Sequence, residues 1–191
     1  MGLGTDAQLR IDILEYQKKF NYDIIIETGT DSGTSSVGFS QMFKKVYTCD
    51  INEKIVDYVT DRFKDIPNIT FMLGNSPDCL RKWFAEIGHD KFFLFLDAHW
   101  GGYWPLQDEL QVVIDFGYKP FIFIHDFDCK QPNWAYDMYN GIPLDYDYVK
   151  DKMDKIYGEG NYVFEMSTKS QNLSTPTCPN NLRGCGWFYP I

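Results

Sequence analysis

The acids and histidines of this chain gather at a few places, and each place follows an apolar run. Ile24 to Ile26 leads into Glu27-Thr28-Gly29-Thr30-Asp31-Ser32-Gly33, and Val46 to Cys49 leads into Asp50 and Ile51. Ile69 to Leu73 leads into Gly74, Asn75 and Ser76. Phe92 to Leu96 ends at Asp97, with His99 close behind, and Phe121 to Ile124 ends at His125 and Asp126, with Asp128 just beyond. Such groups can move a proton or hold a divalent cation. Gly29 and Gly33 admit positive φ and let the backbone approach a ligand closely. Their G-x-x-x-G spacing is neither G-x-G-x-x-G nor a P-loop, and no lysine follows to hold a terminal phosphate. Glu27 would repel a pyrophosphate but welcome a cationic amino or sulfonium group. Asp50, 21 positions after Gly29, stands where an acid accepts both hydroxyls of a ribose. A nucleoside with a positively charged tail suits this set better than a dinucleotide.

These groups need a scaffold that brings five segment ends together, and the apolar pattern supplies one. Strand-like runs at Tyr22–Ile26, Val46–Cys49, Ile69–Leu73, Phe92–Leu96 and Phe121–Ile124 alternate with helix-like periodicity. Helices are expected over Val37–Lys45, from Asn52 with Ile55, Val56, Val59 and Phe63 on one face, from Ser76 as N-cap with Pro77 first in the helix, over Leu106–Phe116 and over Tyr146–Tyr157. An N-terminal helical segment, 1–21, opens with capping-box spacing at Thr5 and Gln8. Two final strands, Asn161–Met166 and Gly184–Pro190, flank a polar loop, Ser167–Arg183. Short strand-to-helix units predict a parallel sheet covered on both faces, with ligands beyond the strands' carboxyl ends.

A chain of 191 residues fits one domain, 1–191, and 44% apolar with 17% aromatic residues supplies a core. A formal charge of −9 argues against nucleic acid and against an anionic membrane surface as partners, and suits a small-molecule acceptor. Cys49, Cys79, Cys129, Cys178 and Cys185 form no CxxC pair, so a reduced, cytoplasmic protein is expected. The sequons at Asn68 and Asn172 then carry no meaning.

In order, IIIETGTDSGTSS, VYTCDIN, MLGNSPD, FLDAHW and IFIHDF resemble the class I S-adenosylmethionine-dependent methyltransferases, over roughly Tyr22 to Asp128. The E-T-G-T-x-x-G-T form, with L-D-A-H-W and P-L-x-x-E-L, looks like a branch near the macrocin and other sugar O-methyltransferases. LDAHW and GNSPD are also similar to segments of catechol-type O-methyltransferases. The resemblance implies a Rossmann-like fold of seven mostly parallel strands with helices on both faces, the last strand inserted antiparallel. It implies that Glu27, Gly29, Asp31 and Gly33 line the methionine end of S-adenosylmethionine and that Asp50 holds its ribose. Ile51 would lie against the adenine, Asn75 and Ser76 near the adenine edge, and Asp97 would face the sulfonium and the substrate. In the metal-dependent branch the acids after the fourth and fifth strands hold Mg²⁺, here Asp97 and Asp126. His125 stands where an acid is common, and Phe127 replaces a third ligand for which Asp128 could substitute.

An O-methyltransferase of this kind needs alignment and a way to deprotonate the acceptor. Asp97, His99, His125 and Asp126 are the candidate catalytic residues, with either histidine as base or Mg²⁺ lowering the acceptor's pKa. Plainer readings stand beside these. Ser76 is a helix cap in either case, Glu27 could cap its own turn, and His99 could simply bond a loop. Trp100, Tyr103, Trp104, Trp134, Tyr136 and Tyr139 could wall a sugar or aromatic acceptor or anchor loops. Asp145, Asp147 and Asp151 suit a solvated helix start, and His89 an ordinary surface. The acceptor would meet Gly101–Trp104, Cys129–Leu144 and Ser167–Arg183, all but the first within the 129–191 region of acceptor-side loops and C-terminal hairpin. A non-catalytic cofactor-binding module and a nicotinamide oxidoreductase are the rivals, and the latter lacks G-x-G-x-x-G.

Overall fold

A computed structural model describes residues 6–99, 102–170 and 182–191. In chain order the strands are β1 (Ile24–Thr28), β2 (Lys45–Asp50), β3 (Ile69–Leu73), β4 (Phe93–Leu96), β5 (Phe121–Phe127), the short pair β6 (Met138–Tyr139) and β7 (Ile142–Pro143), β8 (Tyr162–Met166) and β9 (Gly184–Pro190). Seven form one sheet in the order β3-β2-β1-β4-β5-β9-β8. β1 to β5 pair in parallel, whereas β9 runs antiparallel between β5 and β8. The Gly184–Pro190 strand thus inserts as expected. Strand order reverses between β1 and β4, where a cleft opens beyond the carboxyl ends.

Both faces of the sheet are buried because successive strand residues are apolar. Ile25, Phe93, Phe95, Phe121 and Phe123 pack against Leu9 and Ile13 of α1 (Ala7–Phe20) and Phe39 of α2 (Thr34–Ser40). Their alternates Ile26, Leu94, Leu96, Ile122 and Ile124 meet α4 (Ser76–Ile87), α5 (Leu106–Phe116) and α6 (Tyr146–Tyr157). The rings of Phe93, Phe121 and Phe123 lie 4.7 to 5.8 Å apart between centroids. Each fully buried phenylalanine contributes about 1.5–3 kcal/mol. Phe63, just past α3 (Glu53–Arg62), stacks on Phe71 of β3.

Three helix starts differ from expectation. Asp6 is the N-cap of α1, accepting from the N–H groups of Gln8 and Leu9 at 2.9 and 3.1 Å; Thr5 lies outside the described residues. α2 begins at Thr34 rather than Val37, because Gly33 at φ +73° turns the chain directly into the helix. It ends at Ser40, and the Asn68 side chain donates to the carbonyls of Ser40 and Phe43 at 2.9 and 3.0 Å, ending the helix well before Lys45. Asn75, not Ser76, occupies the N-cap of α4, so Ser76 is the first helical residue and Pro77 the second.

Cys49, Cys79, Cys129 and Cys185 are buried free thiols, and Cys178 lies outside the described residues. Among the described residues no helix is long and apolar enough to cross a membrane.

Candidate functional site

The cleft holds about 440 Å³ and is lined by the turn after β1 (Gly29, Asp31), the end of β2 (Asp50, Ile51), the start of α4 (Asn75, Ser76) and the segment after β4 (Asp97 to His99). That volume suits a nucleoside-sized ligand. Gly29 sits at φ +86°, and a Cβ there would stand 2.8 Å from the carbonyl oxygen of Asp97. The glycine therefore lets the β1 turn close against the end of β4. Asp50 organises the floor: its Oδ2 accepts from the N–H of Asp31 at 3.1 Å and its Oδ1 from the N–H of Asn52 at 2.9 Å. Ile51 is exposed beside it, an apolar shelf. Among the described residues Asn75 Oδ1 and Ser76 Oγ are buried without a hydrogen-bond partner. Unpaired buried polar atoms are costly, and a ligand at this edge could pair them.

Two residues expected at the cofactor are set apart from the cleft lining. Glu27 is buried, and its Oε2 accepts from Thr48 Oγ1 at 2.7 Å and from the Ser36 hydroxyl. Burial pushes its carboxyl up to about 8, against the pull of those two hydroxyls. Gly33 faces α3, where a Cβ would meet Phe63 at 2.7 Å. Neither lines the cleft.

Deeper in, a small cavity of about 10 Å³, room for a single water, joins Asp97, His99, Trp104, Glu109, His125 and Asp137. A β-bulge at the end of β5 creates this arrangement. Simple alternation would send His125 and Asp126 to opposite faces. The register slips between His125 and Phe127, and Asp126 takes φ +56°, which swings its carboxylate back toward the imidazole. His125 Nδ1 then lies 3.1 Å from Asp97 Oδ1 and 3.0 Å from Asp126 Oδ1. Only the Asp97 contact is aligned as a hydrogen bond. Burial alone would lower the His125 pKa, but the carboxylates of Asp126 and Asp97 outweigh it and hold the imidazole well above its ordinary value. Burial would raise Asp126, and the charges of His125 and Arg183 overturn that and hold it well below.

His99 is set differently. It is half exposed, borders both the cleft and the inner cavity, and its Nδ1 lies 3.4 Å from Asp137 Oδ2. Asp137 is held by its own N–H, which donates to the carbonyl of Asp126 at 2.9 Å, and by Arg183, whose Nη1 is 3.0 Å from Oδ1. The same Nη1 is 2.8 Å from Asp126 Oδ2.

Asp137, Arg183 and Glu109 are not among the residues expected from sequence. For Glu109 a signal existed: it shares the P-L-x-x-E-L segment and one helix face with Leu106, Leu110 and Val113, a charged residue at a core position. Both of its carboxylate oxygens are buried and have no hydrogen-bond partner among the described residues. Burial pushes Glu109 up to about 7; the hydroxyls of Ser76 and Thr28 are close enough to pull it down but are not aligned as hydrogen bonds. Asp137 and Arg183 carry no local signal.

The expected metal set changes. Asp128 does not join Asp97 and Asp126, because its carboxylate takes Lys130 Nζ at 2.7 Å and the Lys130 N–H at 3.0 Å. Among the described residues the group that could surround an ion is Asp97, His99 and Asp126, with ligand atoms within 4.8 Å of one another. Mg²⁺ takes oxygen ligands in a near-ideal octahedron. This set offers an imidazole and two carboxylates already facing His125 and Arg183, so it does not fit Mg²⁺.

Trp104 lies between Tyr148 and Tyr139, at centroid distances of 5.1 and 5.7 Å, and forms an aromatic wall beside the inner cavity. His89 accepts the N–H of Lys91 at an exposed turn away from all this. Trp100 and Gly101 lie outside the described residues.

The comparison with solved structures decides what this sheet is. The O-methyltransferase TomG from Streptomyces achromogenes, involved in tomaymycin synthesis and solved with SAM, aligns with a TM-score of 0.64 over 97% of this chain and 80% of its own, at 12% identity. An O-methyltransferase from Bacillus cereus in complex with SAH aligns at 0.62, over 97% of this chain and 81% of its own, at 14% identity. This is the Rossmann-like methyltransferase fold. An rRNA methylase from Streptococcus thermophilus shares the methyltransferase fold at a TM-score of 0.56, over 94% of this chain and 95% of its own, at 12% identity, so the fold does not choose the acceptor. No protein-family model matches the chain. No curated protein matches it in sequence.

Proposed function

We propose that this chain transfers a methyl group from S-adenosylmethionine to an oxygen of a small acceptor. The observation that carries the reading is the placement of His99 where the 440 Å³ cleft meets the inner cavity, with Asp137 behind its Nδ1. The donor supplies an electrophilic methyl on sulfur, and the acceptor oxygen must be aligned with it and lose its proton.

The chain's own groups divide that work. Asp50 would take the ribose hydroxyls, Asp31 and Gly29 would shape the tail's path, Ile51 would lie under the base, and Asn75 and Ser76 would meet its edge. Asp97 would supply negative charge beside the sulfonium. His99 accepts the acceptor's proton, and the Asp137 carboxylate, 3.4 Å from its Nδ1, favours the imidazolium that forms. His125 is not that base: its Nδ1 carries the hydrogen directed at Asp97, and the ring is buried. It acts through Asp97 and Asp126 as a positioning residue. The wall of Trp104, Tyr139 and Tyr148 suits a ring-shaped acceptor, a sugar or a phenol.

Isothermal titration with S-adenosylhomocysteine tests the reading. Saturable binding is expected, weakened about 10- to 100-fold by Asp50→Ala, since each lost hydrogen bond to a charged group is worth about 1.5–3 kcal/mol. An absence of binding to either S-adenosylmethionine or S-adenosylhomocysteine would sink it. Binding with turnover unchanged in Asp97→Ala and His99→Ala would overturn the roles given to those two residues, and binding with no turnover of any acceptor would favour the non-catalytic module.

A further inference from the structure

Three carboxylates, Asp97, Asp126 and Asp137, converge beyond β4 and β5, and such a cluster ordinarily asks for a metal. This chain answers it with its own cations. Arg183 Nη1 carries two hydrogens and lies 2.8 Å from Asp126 Oδ2 and 3.0 Å from Asp137 Oδ1. A guanidinium does not lose its charge in proteins, so both contacts are lasting ion pairs. Asp97 and the second oxygen of Asp126 face His125 Nδ1 at 3.1 and 3.0 Å. Every one of the three carboxylates is therefore engaged by a nitrogen donor of the chain.

Placement of Arg183 is itself built in. It directly precedes β9, the strand inserted antiparallel against β5, and Gly184 pairs with Phe127 across the bulge. The carbonyl of Leu182 accepts from the N–H of Ala135 at 2.8 Å, tying this stretch to the segment that carries Asp137. Gly184 has no room for a side chain, since a Cβ would meet Cys129 Sγ at 2.5 Å and Trp134 at 2.9 Å. The residue before it is thus delivered to the site by close packing.

We propose that Arg183 is the resident cation of this site, fixed across Asp126 and Asp137 where a divalent ion would otherwise bridge carboxylates, and that the site works without a metal. Arg183 would then have two effects. It fills the cation position, and it holds the Asp137 carboxylate beside His99. The metal-free claim is separable from methyl transfer, because it is read by metal binding alone. Failure to bind S-adenosylhomocysteine would overturn the proposed activity and leave this claim standing, while metal uptake would do the reverse.

The experiment is Mn²⁺ binding followed by electron paramagnetic resonance and calorimetry on the full chain stripped with EDTA. Wild type should show no saturable site at submillimolar Mn²⁺, and its melting temperature should not move with millimolar Mg²⁺. R183A, and R183Q as a second choice that keeps more of the side chain's volume, should free Asp126 and Asp137 and bind one Mn²⁺ at least ~10-fold more tightly than wild type. R183K keeps a charge and should stay as metal-indifferent as wild type. A stoichiometric Mn²⁺ site in the wild-type protein overturns the proposal, and that arm needs no variant to fold. A folded R183A or R183Q that binds Mn²⁺ no better than wild type overturns it as well.

Discussion

His99 and His125 are the same residue type at neighbouring strand ends, and their surroundings give them opposite roles. His125 is buried between two carboxylates, which makes it a fixed charge holding Asp97 and Asp126 in place. His99 stands half exposed at the cleft, with the Asp137 carboxylate 3.4 Å from its Nδ1. Removing each should therefore fail in a different way. His99→Ala should lower kcat about 10²- to 10⁴-fold, the usual contribution of a positioned base, while leaving the melting temperature and S-adenosylhomocysteine affinity close to wild type. His125→Ala should leave Asp97 without its hydrogen-bond partner and Asp126 with Arg183 alone, and cost about 3–5 kcal/mol of stability, seen in a chemical denaturation curve. Equal losses of activity and stability in both variants would contradict this division. The acids and histidines themselves were readable from sequence because each ends an apolar run. Their division of labour was not: it depends on Asp137 and Arg183, which come from a loop and a strand start far away in the chain.

At the scale of elements, the site depends on two departures from regular structure. One is the bulge at Asp126, a non-glycine residue at φ +56°, of the kind that costs on the order of 1 kcal/mol and persists where surrounding contacts fix it. The other is the β1 turn, where Gly29 closes against Asp97 and Ala98. Gly29→Ala should destabilise the fold by about 1–3 kcal/mol, because it meets both a strained φ and a backbone atom at 2.8 Å. It should also weaken S-adenosylhomocysteine binding, because the turn must move away from the end of β4. Gly88→Ala is the control: φ is +71° there, but nothing lies within 4 Å of the added Cβ. It should cost about 1 kcal/mol and leave binding unchanged. A calorimetric affinity for Gly29→Ala equal to that of Gly88→Ala would refute the close-packing argument. Apolar periodicity located the elements of the seven-stranded sheet and gave the bounds of α5 and α6. It did not locate the bulge, since a period of two contains no signal for a slipped residue. Nor did it reveal the short β6–β7 pair, whose two-residue strands are too brief to show a period.

For the molecule as a whole, the methyltransferase fold encloses two glutamates that face no cation among the described residues, and this ties stability to pH. Burial raises Glu27 from 4.5 to about 8 and Glu109 from 4.5 to about 7. In the unfolded chain both release their protons near the ordinary value, while in the folded chain they keep them. The sign follows from proton counts: between 4.5 and the folded value the native state binds more protons, so stability falls as pH rises. The contribution of Glu109 is fully present below pH 4.5 and lost by the time pH passes about 7. A shift of this size corresponds to about 3 kcal/mol. Glu109→Gln keeps the shape and removes the titration. At about pH 5 the variant and the wild type should melt within a few degrees of each other. Toward pH 8 the variant should become the more stable, by on the order of 5 °C, because it has no charge to bury. Thermal melts of the two proteins across this range read the difference directly. A gap that stays constant from pH 5 to 8, or a variant that loses ground as pH rises, would mean that Glu109 is ionised in the folded chain and has a cationic partner.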